Sequence, residues 1–313
     1  MLSGRLKYVC FAARVVVGVV FIVSACLKFS SIDSFELYLL SLDWFSFFWS
    51  SIFARLLILS EFVLGMALIA GVWHRIVNGA TYAILGLFSL FLLYLVSQGY
   101  DGNCHCMGEQ IDLPPIPSLL KNGVLALLVA FSSFGWKPSF HNPLVSKLLA
   151  AAALAVGVYI FVASPPDAFL IKRKQPVIHR DNLDNFLAND SVFQTSFADK
   201  PKVVLCMYST GCHICKLSAR KFQLLADHVN LPSSQVYQLF SVDVFNLNND
   251  ELVQRFFSEN DAKPATYQLV DTEMLSMLVG TLPVYVVCEY GKVTSVFNYR
   301  LLSEDVIQSL IVK

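Results

Sequence analysis

The sequence predicts a membrane α-helical bundle followed by an α/β domain, and three observations carry that prediction. Charge is spread unevenly: residues 1–165 hold 9 Lys/Arg and 7 Asp/Glu, whereas residues 166–313 hold 14 and 16. The poorly charged half contains five apolar runs, most of them near the ~20 residues needed to cross a bilayer. The charged half contains a strand pattern, Val203 to Tyr208, that runs into Cys212-His213-Ile214-Cys215 and then a helix pattern. A formal net charge of zero leaves no basic footprint for nucleic acid. The eight cysteines include two close pairs, more than a cytosolic protein usually carries in such spacings.

In chain order, the expected spans run from Tyr8 to Leu27, Ile52 to Trp73, Val77 to Ser97, Leu119 to Phe134 and Leu144 to Ala163, the fourth being short. The first follows Arg5 and Lys7 like a signal peptide, and Val23-Ser24-Ala25-Cys26 imitates a lipoprotein cleavage box. A retained helix with a small-residue packing face is the simpler reading. Arg5, Lys7, Arg75, Lys137 and Lys147 fall on one side if the spans alternate. Asp33, Glu36, Asp43, Asp101, Glu109 and Asp112 fall in the opposite loops. Positive-inside then places the N-terminus in the cytoplasm and the last domain outside it, although Lys172-Arg173-Lys174 points the other way. One deduction needs no orientation: the loop after span three and the domain after span five are separated by two spans, so they share a side.

That loop carries Cys104-His105-Cys106-Met107-Gly108. A C-x-C pair closes a very small disulfide ring, and strained disulfides are the more oxidising and exchange readily. The same four side chains, Cys104, His105, Cys106 and Met107, are soft ligands that suit Cu(I). A redox pair, a copper site and an inert structural pair are the three readings. Glu61, well inside span two, is costly in a bilayer and needs a partner. Lys28, near the outer end of span one, is the obvious one, as a structural ion pair or as part of a proton path.

Arg14 and Gly18 early in span one, Lys28-Phe29 at its end, and Glu61 with Gly65 in span two make a pattern. With Cys104, Cys106 and Gly108, and Ser118-Leu119-Leu120-Lys121-Asn122 entering span four, it resembles the MauE/DoxX-like family of four-helix membrane proteins. Coverage is about residues 5 to 136. That family usually has glycine between the cysteines and an aromatic after them, where this chain has His105 and Met107. The resemblance implies a membrane thiol partner assisting disulfide chemistry outside the cytoplasm.

In the second half, Cys212 and Cys215 sit where a buried strand turns into a helix whose apolar stripe is Phe222, Leu225, Ala226 and Val229. Unpaired N–H groups and the helix dipole at such a terminus favour a thiolate, and a protonated His213 would add to that. Cys212 would attack and Cys215 resolve. Zinc would need a second ligand pair nearby, and none follows. Gly280-Thr281-Leu282-Pro283 precedes the strand Val284 to Cys288, a Tyr290-Gly291-Lys292 turn, a strand Val293 to Phe297, and a short helix capped by Ser303.

This order resembles a thioredoxin-like domain over residues 180 to 313. The resemblance implies a cis Pro283 facing the cysteines and a Leu282 backbone that pairs with an extended substrate. Thioredoxins proper carry a buried acid six residues before the first cysteine; this chain has Cys206 there.

The organisation expected is a MauE/DoxX-like four-span domain over 1–140, a fifth span with linker over 141–180, and a thioredoxin-like domain over 181–313. The expected function is a multi-pass inner-membrane thiol–disulfide oxidoreductase with its soluble domain in the periplasm. Its clients would be extracytoplasmic cysteine-containing proteins. The site residues are Cys212, Cys215, Cys104, Cys106, His213 and Pro283. In the oxidative direction a membrane quinone or another membrane acceptor could finish the relay, though no residue identifies a quinone site. The alternatives are a copper-handling membrane protein and a non-catalytic membrane assembly factor.

Overall fold

A computed structural model describes residues 4–42, 44–135, 143–167, 176–260 and 262–310. It divides into two compact units, Met1–Pro166 and Asp167–Lys313. Asp43, Lys137 and Lys172-Arg173-Lys174, which entered the charge argument above, lie outside the described residues, as do the side chains of Arg5 and Lys7.

The first unit is helical: α1 Gly4–Ser30, α2 Ile32–Leu40, α3 Phe47–Ala70, α4 His74–Ser97, α5 Pro115–Gly135 and α6 Pro143–Ala163. All but α2 are long and apolar enough to cross a membrane. α3 starts before the expected Ile52, at Phe47, and stops at Ala70. The stop has a local cause: Gly71 takes the left-handed conformation that closes helices (φ 69°). α5 starts at Pro115 rather than Leu119, because proline in a first helical turn gives up no hydrogen bond.

α2 was not expected, since its Asp33 and Glu36 read as loop charges. Glu36 is instead buried, paired with Arg55 and accepting from Ser51 Oγ at 2.6 Å. Arg55 also reaches the Ser164 carbonyl at the end of α6, from Nε at 2.9 Å and Nη2 at 2.7 Å.

α1 packs against α3 and α5. The α1–α3 crossing is set by Gly18 and Gly65. A Cβ on either would lie 2.7 Å from the carbonyl oxygen of the other, so the backbones touch where any side chain would wedge them apart. Arg14, one turn before that crossing, is buried and donates to Leu68 O at 2.8 Å and Asn78 Oδ1 at 3.0 Å.

The second unit runs α7 Arg180–Asn189, α8 Ser191–Ser196, β1 Val203–Ser209, α9 His213–His228, β2 Val236–Val242, α10 Asp250–Ser258, β3 Thr266–Asp271, α11 Thr272–Leu278, β4 Val284–Glu289, β5 Lys292–Asn298 and α12 Glu304–Gln308. Its strands lie in the order β3-β2-β1-β4-β5, with β1, β2 and β3 parallel and β4 and β5 antiparallel to their neighbours. This is a thioredoxin-like arrangement.

Side-chain alternation along the strands sorts the core. Val203, Leu205 and Met207 of β1, with Leu239 of β2 and Val286 of β4, face α7, α8 and α11. The intervening residues carry the aromatic layer: Tyr208 lies 5.7 Å from Phe256 of α10, and Tyr285 lies 5.3 Å from Phe222 of α9. Tyr290 and Gly291 both take positive φ (47° and 74°), which makes the β4–β5 turn the tight kind that matches strand twist. Ser303 accepts from Val306 N at 3.3 Å and caps α12.

Candidate functional site

Each unit carries a thiol pair, and each pair has its own local logic. In the second unit β1 leads through Thr210 and Gly211 to Cys212, the N-cap of α9. As N-cap, Cys212 places its Sγ where a capping oxygen would sit, and it accepts from Cys215 N at 3.3 Å. Cys212 is half-buried, whereas Cys215 is fully buried, one turn into the helix. Cys215 Sγ accepts from Ser209 N at 3.4 Å. Burial, together with the hydrogen bond to Cys212, holds the Cys215 thiol protonated well above the usual thiol range. A buried protonated sulfur behind a partly accessible one is the geometry of an attacking and a resolving cysteine. His213 lies exposed in the first turn.

The β1–β4 register pairs Met207 with Val284. Pro283 therefore stands at the end of β1 from which the cysteine turn departs. It is buried, and its peptide bond with Leu282 is cis. Behind the cysteines, the position of the missing acid is filled by an entirely buried Cys206, next to a short hydroxyl chain. Tyr208 donates to Tyr285 at 3.2 Å, and Tyr285 donates to the Ser218 carbonyl at 2.9 Å. Burial pushes Cys206, Tyr208 and Tyr285 all upward, so these groups stay neutral near pH 7.

In the first unit the thiol pair lies in the loop between α4 and α5, docked on the C-terminal end of α1. Gly108 (φ 77°) makes that docking possible: a Cβ there would meet Leu27 O at 2.8 Å. Glu109 N and Gln110 Nε2 bond the hydroxyls of Ser31 and Ser30. His105 has φ 53°, a left-handed backbone that glycine adopts without penalty. This is the position where the resembled family carries glycine. The imidazole stacks on Tyr38, with centroids 4.5 Å apart. Among the described residues no group of three or more His, Cys, Asp or Glu is placed to hold a metal, so the donor geometry lends the copper reading no support.

The two thiols differ sharply. Cys104 is lowered to about 6, first by a hydrogen bond from the Cys106 thiol, then by Ser118 Oγ at 3.1 Å, the Cys106 N–H and the Lys121 charge, against the effect of burial. Cys106 is raised well above the usual range by that same hydrogen bond and by burial. The pair thus shares one proton, which sits on Cys106. Ser118 and Lys121 belong to the stretch singled out in the sequence, and their positions give it a role.

Beneath the loop lies the expected ion pair: Lys28 Nζ is 2.6 and 2.8 Å from the two Glu61 oxygens. Ser24, which sequence reasoning passed over, joins the pair to the thiols. Its hydroxyl accepts from Lys28 at 2.9 Å and has one proton to share between Glu61 Oε2 at 3.1 Å and the Cys106 carbonyl at 3.0 Å. A serine at i+4 from a lysine on an apolar helix is ordinary packing by pattern alone, so nothing in the sequence flagged it.

Residues 6–135, which hold α1 to α5 apart from the first residues of α1, match the family described as Methylamine utilisation protein MauE. The chain is similar to Protein TlpB of Flavobacterium psychrophilum, 24% identical over 307 residues with 82% of each chain covered. Among solved structures it is similar to StoA from Bacillus subtilis at 19% identity and a TM-score of 0.25, over 36% of this chain and 83% of that one.

Proposed function

We propose that this multi-pass membrane protein is a thiol–disulfide oxidoreductase in which Cys212/Cys215 exchanges disulfides with extracytoplasmic proteins and, in turn, with Cys104/Cys106. In this reading residues 1–140 form the membrane redox domain, 141–180 the fifth span and linker, and 181–313 the client-facing domain. The observation that carries it is the matched asymmetry of the two pairs. Each combines one sulfur fitted to ionise, Cys104, or to be reached, Cys212, with one held protonated, Cys106 or Cys215, although both loop sulfurs are buried.

The exchange step balances within the chain. The Cys212 thiolate attacks one sulfur of a Cys104–Cys106 disulfide, the other sulfur leaves, and Cys215 then breaks the mixed disulfide. The lower-pKa sulfur is the better leaving group. Attack therefore falls on Cys106, with Cys104 departing as thiolate. Two electrons end on the membrane pair, and a disulfide forms between Cys212 and Cys215.

The reading requires a shared compartment. α5 and α6 lie between the two pairs in sequence, so both should label from one side with a small, charged, membrane-impermeant methanethiosulfonate, after reduction in intact spheroplasts. The expected side is the periplasmic one. Labelling of Cys212/Cys215 from one face and Cys104/Cys106 from the other would end the relay.

A further inference from the structure

We propose that an apolar cavity beside Cys104 and Cys106 is a binding site for a lipid-soluble quinone, the acceptor of that pair's electrons. The inference rests on the exchange reading above and adds its terminal step. The cavity measures about 190 Å³, against the roughly 10–15 Å³ that one water needs, so it takes a ring-sized molecule. Its walls come from α2, α3, α4 and the thiol loop. Tyr38, Phe53, Leu57, Phe88 and Phe91 line it with faces suited to a flat ring.

At its rim stand Trp44 and Leu87, 55% and 67% exposed, and Leu87 lies on a helix apolar enough to span the bilayer. An occupant would therefore enter from lipid rather than from water. An acyl chain could fill the same space, but it would have no use for the polar part of the wall. That part is the Cys104–His105–Cys106 segment and the Lys28 ammonium, the latter 5.4 Å from the Phe88 ring centroid. Thiols and a cation beside an apolar slot match a ring that accepts electrons and carries carbonyl oxygens.

Cys106 also borders a second cavity, of about 30 Å³, whose largely apolar lining also carries Ser24, Lys28, Glu61, Lys121 and Asn122. That is room for roughly two waters with several polar partners. The thiol pair thus stands between an apolar space and a mixed one that holds charged and polar groups. The step balances: the Cys104 thiolate and the Cys106 thiol form one S–S bond and release two electrons to the ring. The quinone oxygens take one proton from Cys106 and one by way of the second cavity, giving the quinol.

The test uses the full chain in lipid nanodiscs, with Cys26→Ser, Cys212→Ser and Cys215→Ser so that, of the accessible thiols, the membrane pair is the one left to react. Reduced protein is mixed without oxygen with decylubiquinone, and in parallel with menadione. Loss of quinone absorbance and closure of the Cys104–Cys106 disulfide should proceed together, with one quinol per chain. Leu57→Trp, which puts an indole into the cavity, should slow quinone reduction about tenfold or more, equivalent to about 1.4 kcal/mol. Rates are normalised to oxidation by diamide in the same sample. Leu87→Trp at the rim serves if Leu57→Trp fails to insert. Unslowed, diamide-normalised bleaching in both variants overturns the site, as does absence of quinone reduction with lipid acyl chains retained in the cavity by native mass spectrometry. The exchange reading fails separately, when oxidised Cys104/Cys106 does not accept electrons from Cys212/Cys215 in the unmodified chain.

Discussion

Replacing Cys106 and Ser118 together by alanine is expected to tilt the pH–rate profile of Cys104 until it crosses the parental one. In the parent, Cys104 is half ionised near pH 6, because a thiol, a hydroxyl and a backbone N–H point at its sulfur and Lys121 adds charge. Without the two side-chain donors its pKa should climb toward the ordinary thiol value of about 8.5. At pH 6 the thiolate fraction would then fall by about a hundredfold. Each thiolate that remains is more nucleophilic, since nucleophilicity rises with pKa with a Brønsted slope of about 0.4–0.5, so the net loss is about tenfold. Above about pH 8.5, where both forms are ionised, the same slope makes the variant the faster one. The measurement is the reaction of Cys104 with methyl methanethiosulfonate, small enough for a thiol that is nearly buried, in a chain with Cys26, Cys212 and Cys215 changed to serine. Parallel profiles with no crossing would mean that the donors do not set the acidity of Cys104.

Glu61→Ala should be among the most damaging single changes in the membrane half. It leaves the Lys28 ammonium, 1% exposed, without its carboxylate, and removal of one partner from a buried pair costs about 3–5 kcal/mol. Through Ser24 the damage should spread to the Cys106 carbonyl and so to the thiol loop. Replacing both partners, Lys28→Met with Glu61→Leu, removes the charges along with the need to pair them and should recover most of the loss. The readout is the thermal midpoint of the solubilised chain, followed by thiol exchange at Cys104/Cys106. An unchanged midpoint in Glu61→Ala would show that the pair does not hold the bundle. Recovery of stability without recovery of exchange would assign Glu61 a proton-handling role beyond packing.

Much of this architecture was legible because it follows from periodicity and composition. The five apolar runs became the five long helices, and the strand, Cys-x-x-Cys, helix and proline-preceded hairpin fell in the expected order. What escaped notice depended on partners remote in sequence. α2 looked like a loop because Asp33 and Glu36 are charged, yet Glu36 is buried against Arg55 of α3. β2 and β3 drew no attention: a strand such as Val236–Val242, buried along its whole length, has no polar face to show a period of two. Lys221 of α9 also drew no attention, yet it is buried, bonded to Asp167 at 2.9 Å and to the Tyr299 carbonyl at 2.8 Å.

At the thiol loop the glycines and the Ser118–Asn122 stretch were visible as a pattern, but their reasons were not. Gly18 and Gly65 touch backbone to backbone, Gly108 clears Leu27, and Ser118 bonds Cys104. His105 in a left-handed conformation cannot be read from sequence, because histidine there reports only that the loop geometry outweighs the residue's preference. The buried acid that thioredoxins proper carry behind the first cysteine was already seen to be missing from the sequence. Its space holds Cys206, next to a tyrosine–tyrosine–serine chain that stays neutral.

The central claim is that the two thiol pairs exchange electrons directly, and trapping the mixed disulfide tests it most simply. With Cys215→Ser to block resolution and Cys104→Ser to leave one loop sulfur, the full chain in its membrane, treated with diamide to take up the two electrons, should form an internal Cys212–Cys106 cross-link. It would be seen as a reductant-sensitive mobility shift on a gel and mapped by mass spectrometry. The partner combination, Cys215→Ser with Cys106→Ser, tests the other loop sulfur under the same oxidant. Both bands should vanish when Cys212 is also replaced. Absence of a cross-link in both combinations, with Cys212 still reactive toward a model disulfide peptide, would contradict the account and leave two thiol pairs that share a chain but not their electrons.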